Sequence, residues 1–433
     1  MSSREAEAAR LLAPVRALGL PRPAYDGRSL VNVAVSVHLA AGGDPGGDPP
    51  LAPPLAPGLD PFSGGRAEGT VVVFLVDGLG WSTLAGWART GSPEARRWED
   101  HARPITTVFP TTTTAALASL STGVPPARHG VVGYRQYLPR FGVVADLLRM
   151  QPTGLTGAEL LVGPNWAPSD VSGAPTLFRR GLSATAVSRD RFHGSGFTRV
   201  LYDGAEYVGY ATATDLAAEL LGVLDRPTPP PAVFLYWDGL DTIQHLKGPD
   251  PSLAALELEQ IALLLNHVAG RLPPPARKRT TFLVTGDHGQ VPSALSSRLA
   301  LDEHPEVVAE MARPLAGDRR AGFLAARPGR AGALADALVP HLPQGAQVLS
   351  MERALNEGLF GPPPFHPEIP ERLGDLLALV PSPAGLTYRL PGGPLPTRHL
   401  LGSHGGLEPD EMIVPLVRLP VAELARDGAA GKP

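Results

Sequence analysis

The 433-residue sequence contains no cysteine. That excludes disulfides, thiolate–zinc centres and a cysteine nucleophile, and it fits a reducing compartment. No segment approaches the ~18 consecutive apolar residues of a membrane-crossing helix. The opening MSSREAEAARLLAPVRALGL intersperses Arg4, Glu5, Glu7, Arg10 and Arg16 among its apolar residues, which interrupts the apolar core that a secretory leader needs. We therefore expect a cytoplasmic protein with no membrane partner. Lysine- and arginine-rich blocks are also missing, and the net charge is −4. A nucleic acid polymer would find no electrostatic footprint here.

What is present is a globular composition, 43% hydrophobic and 18% charged, enough for a sizeable core. Glycine and proline, 49 each, are about twice as abundant as usual. Much of the excess lies in loops, and residues 42–66 (GGDPGGDPPLAPPLAPGLDPFSGGR) read as an extended surface loop or linker.

Directly after that loop, TVVVFLVDGLG (70–80) is a continuous apolar run ending in Asp77 and two glycines. PAVFLYWDGLD (231–241) and RTTFLVTGDHG (279–289) repeat the shape. Such runs suit strands buried on both faces of a parallel sheet. Helical patterns at 215–225 and 252–270 separate them, so the class is α/β with right-handed crossovers. AGFLAARPGRAGALADALVPHL (321–342) reads as strand, turn and helix, and GLEPDEMIVPLVRLP (406–420) as a last strand.

Ligands of open α/β sheets bind at the carboxyl ends of the strands. Asp77, Asp238, Asp241, Asp287 and His288 all fall at such ends. In DTIQH (241–245), Asp241 and His245 are four apart and share a helix face. Glycines flank Asp287 and His288 and let the backbone bend; His404 sits in the glycine-rich GSHGG loop. Each signal alone could be a surface pair, a turn or a solvated loop. Together they offer three aspartates and three histidines, a donor set suited to Zn²⁺ or Mn²⁺ and numerous enough for two ions.

FPTTTTAALASL (109–120) places four threonines at the start of a short helix that ends at Gly123. A helix N-terminus favours anions. A hydroxyl there could be an activated nucleophile, although capping alone would account for one threonine.

Taken in order, VVVFLVDGLG, VFPTTTTAALASLSTGVPPARHGVVGY, YWDGLDTIQHLKGP, LVTGDHG and GSHGG resemble the alkaline phosphatase superfamily, most closely its type I phosphodiesterase/nucleotide pyrophosphatase branch. The resemblance spans residues 70–405. It implies one alkaline-phosphatase-like domain over 1–433: three α/β/α layers, a central mostly parallel sheet and a small cap-like insertion within 290–400. It implies two divalent ions, one held by Asp241, His245 and His404, the other by Asp77, Asp287 and His288 together with the nucleophile. That nucleophile is Thr113, with Thr112 and Thr114 as alternatives of register and the neighbouring threonines left to cap the helix. The implied activity is hydrolysis of a small phosphodiester or nucleotide pyrophosphate through a phospho-threonine intermediate. A phosphomonoesterase or phosphonate hydrolase on the same scaffold is the alternative. A non-catalytic metal-binding relative is the alternative of another class. A sulfatase is disfavoured, since Ser121 is not followed by x-Pro-x-Arg. Ala116 stands where the resemblance leads one to look for an asparagine three residues after the nucleophile, and Asn165 is the candidate for a compensating phosphate donor. His129 is expected to be a structural loop residue, and Arg398 and His399 to lie in a solvated loop.

Overall fold

The computed structural model describes residues 3–11, 20–155, 159, 161–163, 165–390 and 400–427. Its main sheet contains β1 (Thr70–Val76), β2 (Ala102–Thr106), β3 (Ala184–Arg189), β4 (Glu206–Tyr210), β5 (Ala232–Trp237), β6 (Thr280–Thr285) and β7 (Ile413–Pro420). Their order across the sheet is β2-β7-β6-β1-β5-β3-β4. β1 lies between β5 and β6, parallel to both. β3 is parallel to β4 and β5, whereas β7 runs antiparallel to β2 and β6. The sheet is thus mostly parallel, as expected.

Side-chain alternation along β1 explains why its apolar run is unbroken. Val71, Val73 and Leu75 enter one core with the helices α1 (Leu30–Ala40) and α2 (Thr113–Thr122). Val72, Phe74 and Val76 enter the other, with α3 (Ala213–Leu224) and α4 (Pro251–Arg271). A strand covered on both faces must be apolar at every position, and burial of each such side chain contributes about 1.5–3 kcal/mol. In α4 the buried Ala254, Leu258, Ile261, Ala262, Leu265, Val268 and Ala269 follow the helical period, and Asp250 caps the start through the N–H groups of Ser252 and Leu253. The result is three layers.

Residues 42–66 contain no helix or strand, yet Ala52, Leu55 and Leu59 are buried in the α1/α2 core. The Leu55 N–H donates to Ser36 Oγ at 2.9 Å. The segment is a packed strap rather than a linker.

A second seven-stranded sheet has the order 347–350, 376–379, 321–324, 316–317, 135–138, 143–146, 151–152. Its pairings are antiparallel. The expected insertion within 290–400 is therefore too narrow a description. Three of the seven strands come from 135–152, and the Gly317–Arg135 pairing joins the two stretches.

Candidate functional site

Because β1, β5 and β6 are parallel neighbours, the residues that follow them meet at one edge. Asp77 follows β1, and its N–H donates to the Trp237 carbonyl at the end of β5 at 2.8 Å. After β5 comes the helix Gly239–Lys247, which carries Asp241 and His245 one turn apart. Asp287 and His288 follow β6. The flanking glycines are needed for close backbone approach: a Cβ on Gly286 would lie 2.2 Å from the Leu79 carbonyl, and one on Gly289 2.0 Å from that of Asp410. His404 follows the short strand 402–403, which pairs with 291–292.

The inner half of the cluster is fully enclosed. Asp287 Oδ1 accepts from the N–H groups of Gly78 and His288, each at 3.0 Å. Asp77 Oδ2 accepts from the Tyr236 hydroxyl. The remaining oxygens, Asp77 Oδ1 and Asp287 Oδ2, are buried without a hydrogen-bond partner and each lies 3.4 Å from His288 Nε2. The outer half is more open, with the side chains of His245 and Asp241 21% and 17% exposed. Asp241 Oδ1 lies 3.3 Å from His245 Nε2 and accepts from Gln290 Nε2 at 3.2 Å. The rings of His288 and His404 stack at 3.7 Å.

All three imidazoles are oriented the same way. Nδ1 of His245, His288 and His404 faces the carbonyls of Gly402, Gly289 and Thr111 at 2.9, 3.0 and 2.8 Å. Each Nδ1 therefore carries the proton and donates, leaving the Nε2 lone pair aimed into the cluster, the arrangement that metal-binding histidines use. Burial, then the charges of Asp287 and Asp241, hold the Asp77 carboxyl well above its ordinary range. Asp241 is likewise raised by burial, against the pull of His245 and His288. Burial and the neighbouring His288 and His245 push His404 well below the usual imidazole value. Crowded acids with orphaned oxygens beside imidazoles whose Nε2 atoms face the cluster fit divalent cations, which would supply the missing partners.

Ligand atoms of Asp77, Asp287 and His288 all lie within 4.8 Å of one another, and so do those of Asp241, His288 and His404. The first trio is the expected one. In the second, His288 takes the position expected of His245, which joins through its contact with Asp241. Asp238, also flagged at a strand end, is turned away and paired with Arg189 at 2.7 Å and with Arg191.

The four threonines separate cleanly. Thr111 Oγ1 accepts from the Gly405 N–H at 2.9 Å and donates to the Gly406 carbonyl at 3.1 Å. Thr112 Oγ1 donates to Asp318 Oδ1 at 3.1 Å. Thr113 Oγ1 is 3.2 Å from His288 Nε2, and Thr114 Oγ1 is buried without a partner. Of the four hydroxyls, only that of Thr113 bonds to a member of the cluster among the described residues, although the Thr111 carbonyl holds His404. The neighbours do not cap the helix as expected: Thr112 occupies the N-cap with no side-chain cap bond, because its hydroxyl is committed to Asp318. Ala116 is fully buried in the core. Asn165 stands exposed, its carbonyl accepting from Arg140 at 3.1 Å, and among the described residues no hydrogen bond links it to the cluster. His129 is buried between Ser119 Oγ at 2.9 Å and the Val131 N–H at 3.0 Å. Burial, then the charges of Arg372 and His366, push it down to about 3, so it is neutral. Arg398 and His399 lie outside the described residues.

Sequence reasoning missed Tyr236 and Asp318. Tyr236 reads as one more apolar strand residue, although its pairing opposite Leu75 places it beside Asp77. Asp318 is held by the Thr112 hydroxyl and the Tyr134 N–H at 3.3 Å. No local pattern marks either.

The description "Type I phosphodiesterase / nucleotide pyrophosphatase" matches residues 71–406. No curated protein sequence matches the chain. Among solved structures, murine ectonucleotide pyrophosphatase/phosphodiesterase 5 is similar at 18% identity and a TM-score of 0.60, over 80% of this chain and 87% of that one. An inactive variant of that enzyme in complex with AMP gives 18% and 0.61, over 81% and 87%. Phosphonoacetate hydrolase from Sinorhizobium meliloti 1021, in complex with phosphonoacetate, gives 19% and 0.57, over 81% and 90%. Among the described residues no helix is long and apolar enough to cross a membrane.

Proposed function

Since the chain belongs to the type I phosphodiesterase/nucleotide pyrophosphatase family, and is thus a phosphoric ester hydrolase, we propose that it cleaves a small phosphodiester, nucleotide pyrophosphate or phosphonate with Thr113 as nucleophile. The observation that carries this reading is Thr113 Oγ1, 3.2 Å from His288 Nε2, the same nitrogen that lies 3.4 Å from each of two carboxylate oxygens without partners. Asp77, Asp287 and His288 would hold one divalent ion and Asp241, His404 and His245 a second, with Zn²⁺ favoured by the donor set and Mn²⁺ next. Bound there, the ions would supply charge neutralisation for the attacking and leaving oxygens.

The chain's own residues do the positioning. α2 presents Thr113 at its first turn, and with no side chain capping the helix its leading N–H groups are free to face phosphoryl oxygens. Attack forms the Thr113 Oγ1–P bond as the hydroxyl proton passes to solvent, and breaks the bond to the leaving group, which takes a proton from solvent. Water then cleaves the Oγ1–P bond, and the hydroxyl is restored. The outer residues Asp241 and His245, partly exposed, border the side on which leaving group and water exchange. Phosphonoacetate hydrolase, similar in fold, makes cleavage of a P–C bond the second reading.

The test compares bis(p-nitrophenyl) phosphate, p-nitrophenyl phosphate and phosphonoacetate as substrates of the Zn²⁺- or Mn²⁺-loaded protein. We expect Thr113→Ala to lower turnover by at least about 10³-fold while retaining its metal. Unchanged turnover in that variant would sink the nucleophile assignment, and a strong preference for the monoester would sink the diesterase reading.

A further inference from the structure

The hairpin 316–323 of the second sheet ends beside the cluster. A Cβ on Gly405, next to His404, would lie 2.6 Å from Asp318 Cβ. The Asp318 carboxylate contacts Thr112, one residue before the nucleophile. The following two arginines have opposite environments. Arg320 is locked between Glu411 at 3.0 Å and Glu408 at 2.6 Å. Arg319 makes no ion pair or side-chain hydrogen bond among the described residues, and its Nη1 is buried without a partner.

Its surroundings add positive charge. Arg298 pairs with Gly385 in a short parallel ladder, and a Cβ on Gly385 would lie 3.6 Å from Arg319 Cβ. Arg298 Nε is also buried and unpartnered, although Nη2 donates to the Leu400 carbonyl at 2.7 Å. Arg135 is brought close by its pairing with Gly317, and its Nε lies 3.3 Å from Asp146. Burial, then the charges of Arg298 and Arg135, push Arg319 down to about 10. On the other side the Arg319 charge is felt by His404. Buried guanidinium donors are nearly always paired, and those of Arg319 Nη1 and Arg298 Nε are not. Arg135 is matched by Asp146 and Asp318 lies nearby, so an added anion would supply the partner that the two orphaned donors lack.

We propose that Arg319, flanked by Arg298 and Arg135, binds a second anionic group of the substrate, a carboxylate or a second phosphoryl group, while its reacting phosphorus sits at Thr113. This rests on the hydrolase reading above and narrows its substrate class to compounds with two anionic groups a few bonds apart. The planar guanidinium fork matches either group through two parallel hydrogen bonds. Arg320 is less suited to this task. Its Nη1 is also buried without a partner, but its charge is already matched by Glu411 and Glu408 through Nε and Nη2, whereas Arg319 has no ion pair among the described residues.

The test measures kcat/KM of metal-loaded wild type, Arg319→Gln and Arg319→Lys on three probes. Bis(p-nitrophenyl) phosphate carries one anionic group, phosphonoacetate adds a carboxylate, and ADP adds a second phosphoryl group. We expect Arg319→Gln to lower kcat/KM for one of the two-anion probes by about 100-fold more than for the reference diester, with partial recovery in Arg319→Lys. The probe affected identifies the group. Equal loss on all three, no loss, or failure of the wild type to cleave either two-anion probe overturns the assignment of Arg319. Failure of the wild type to cleave even the reference diester rejects the hydrolase reading itself. Arg298→Gln gives the same comparison should Arg319→Gln not fold.

Discussion

Tyr236 offers the sharpest test of whether the enclosed half of the cluster is built to hold a cation. Its hydroxyl donates to Asp77 Oδ2, and the residues are only 9% and 3% exposed. The bond favours the ionised form of Asp77, against burial and the charges of Asp287 and Asp241. Tyr236→Phe keeps the ring and its packing while removing the one donor. A hydrogen bond to a charged acceptor is worth about 1.5–3 kcal/mol, and taking ~2 kcal/mol gives roughly 30-fold weaker binding of the first Zn²⁺. The sign is reinforced by protonation. Without the hydroxyl, Asp77 rises further, and a proton competes more strongly with the metal at neutral pH. Competition with a chromophoric chelator at fixed pH measures the affinity, and thermal unfolding of the metal-free protein is the control. If Tyr236 served only packing and local structure, the chelator midpoint would not move and only metal-free stability would fall. That result would refute the reasoning.

Two further perturbations probe the second sheet. Burial, partly offset by the Tyr134 N–H and Thr112 hydroxyl, pushes Asp318 up to about 6. A raised carboxyl penalises the folded state when ionised, so the penalty is absent below the unfolded value of ~4, grows between ~4 and 6, and is complete above. Metal-free Asp318→Asn should therefore gain roughly 2–3 kcal/mol relative to wild type between pH 4 and pH 8, and a pH-independent difference in unfolding free energy would contradict this. Arg320→Leu leaves Glu411, wholly buried, without its guanidinium, and should cost about 3–5 kcal/mol in denaturant unfolding. Adding Glu411→Leu should recover most of that loss, whereas additive losses would show that the pair is not coupled.

The strands that carry the cluster were legible because they are buried on both faces. TVVVFL, AVFLYW and TTFLVT are runs without a charged residue, broken only by β-branched threonines and Tyr236. β3 and β4 went unread because ATAVSR and EYVGY mix polar and apolar residues over five or six positions. The second sheet was hidden for a further reason, since its strands come from 135–152 and 316–379 and several are only two to four residues long. Asp77, Asp241, Asp287 and His288 could be named because strand ends are where an α/β sheet collects ligands, His245 by its helical spacing from Asp241, and His404 by its glycine-rich loop. Tyr236 looks like core, and Asp318 and Arg319 look like a turn in GDRRAG. Their roles depend on partners far away in sequence: Asp318 meets Thr112 across 206 positions.

That last contact changes what the threonine run does. Thr111 holds the loop that carries His404, Thr112 reaches the second sheet through Asp318, and Thr113 meets His288 at the end of β6. Successive residues at a helix start point in different directions, so three consecutive hydroxyls can contact three different parts of the fold. Because four threonines stand in a row, the hydroxyls alone do not fix the register, but in the observed one each of the three has a different partner. The helix start that presents Thr113 is therefore tied to both sheets. The second sheet does more than border the substrate: through Asp318 it helps fix the position of the hydroxyl at the cluster, and through Arg319 it offers the charge that would select what reaches it.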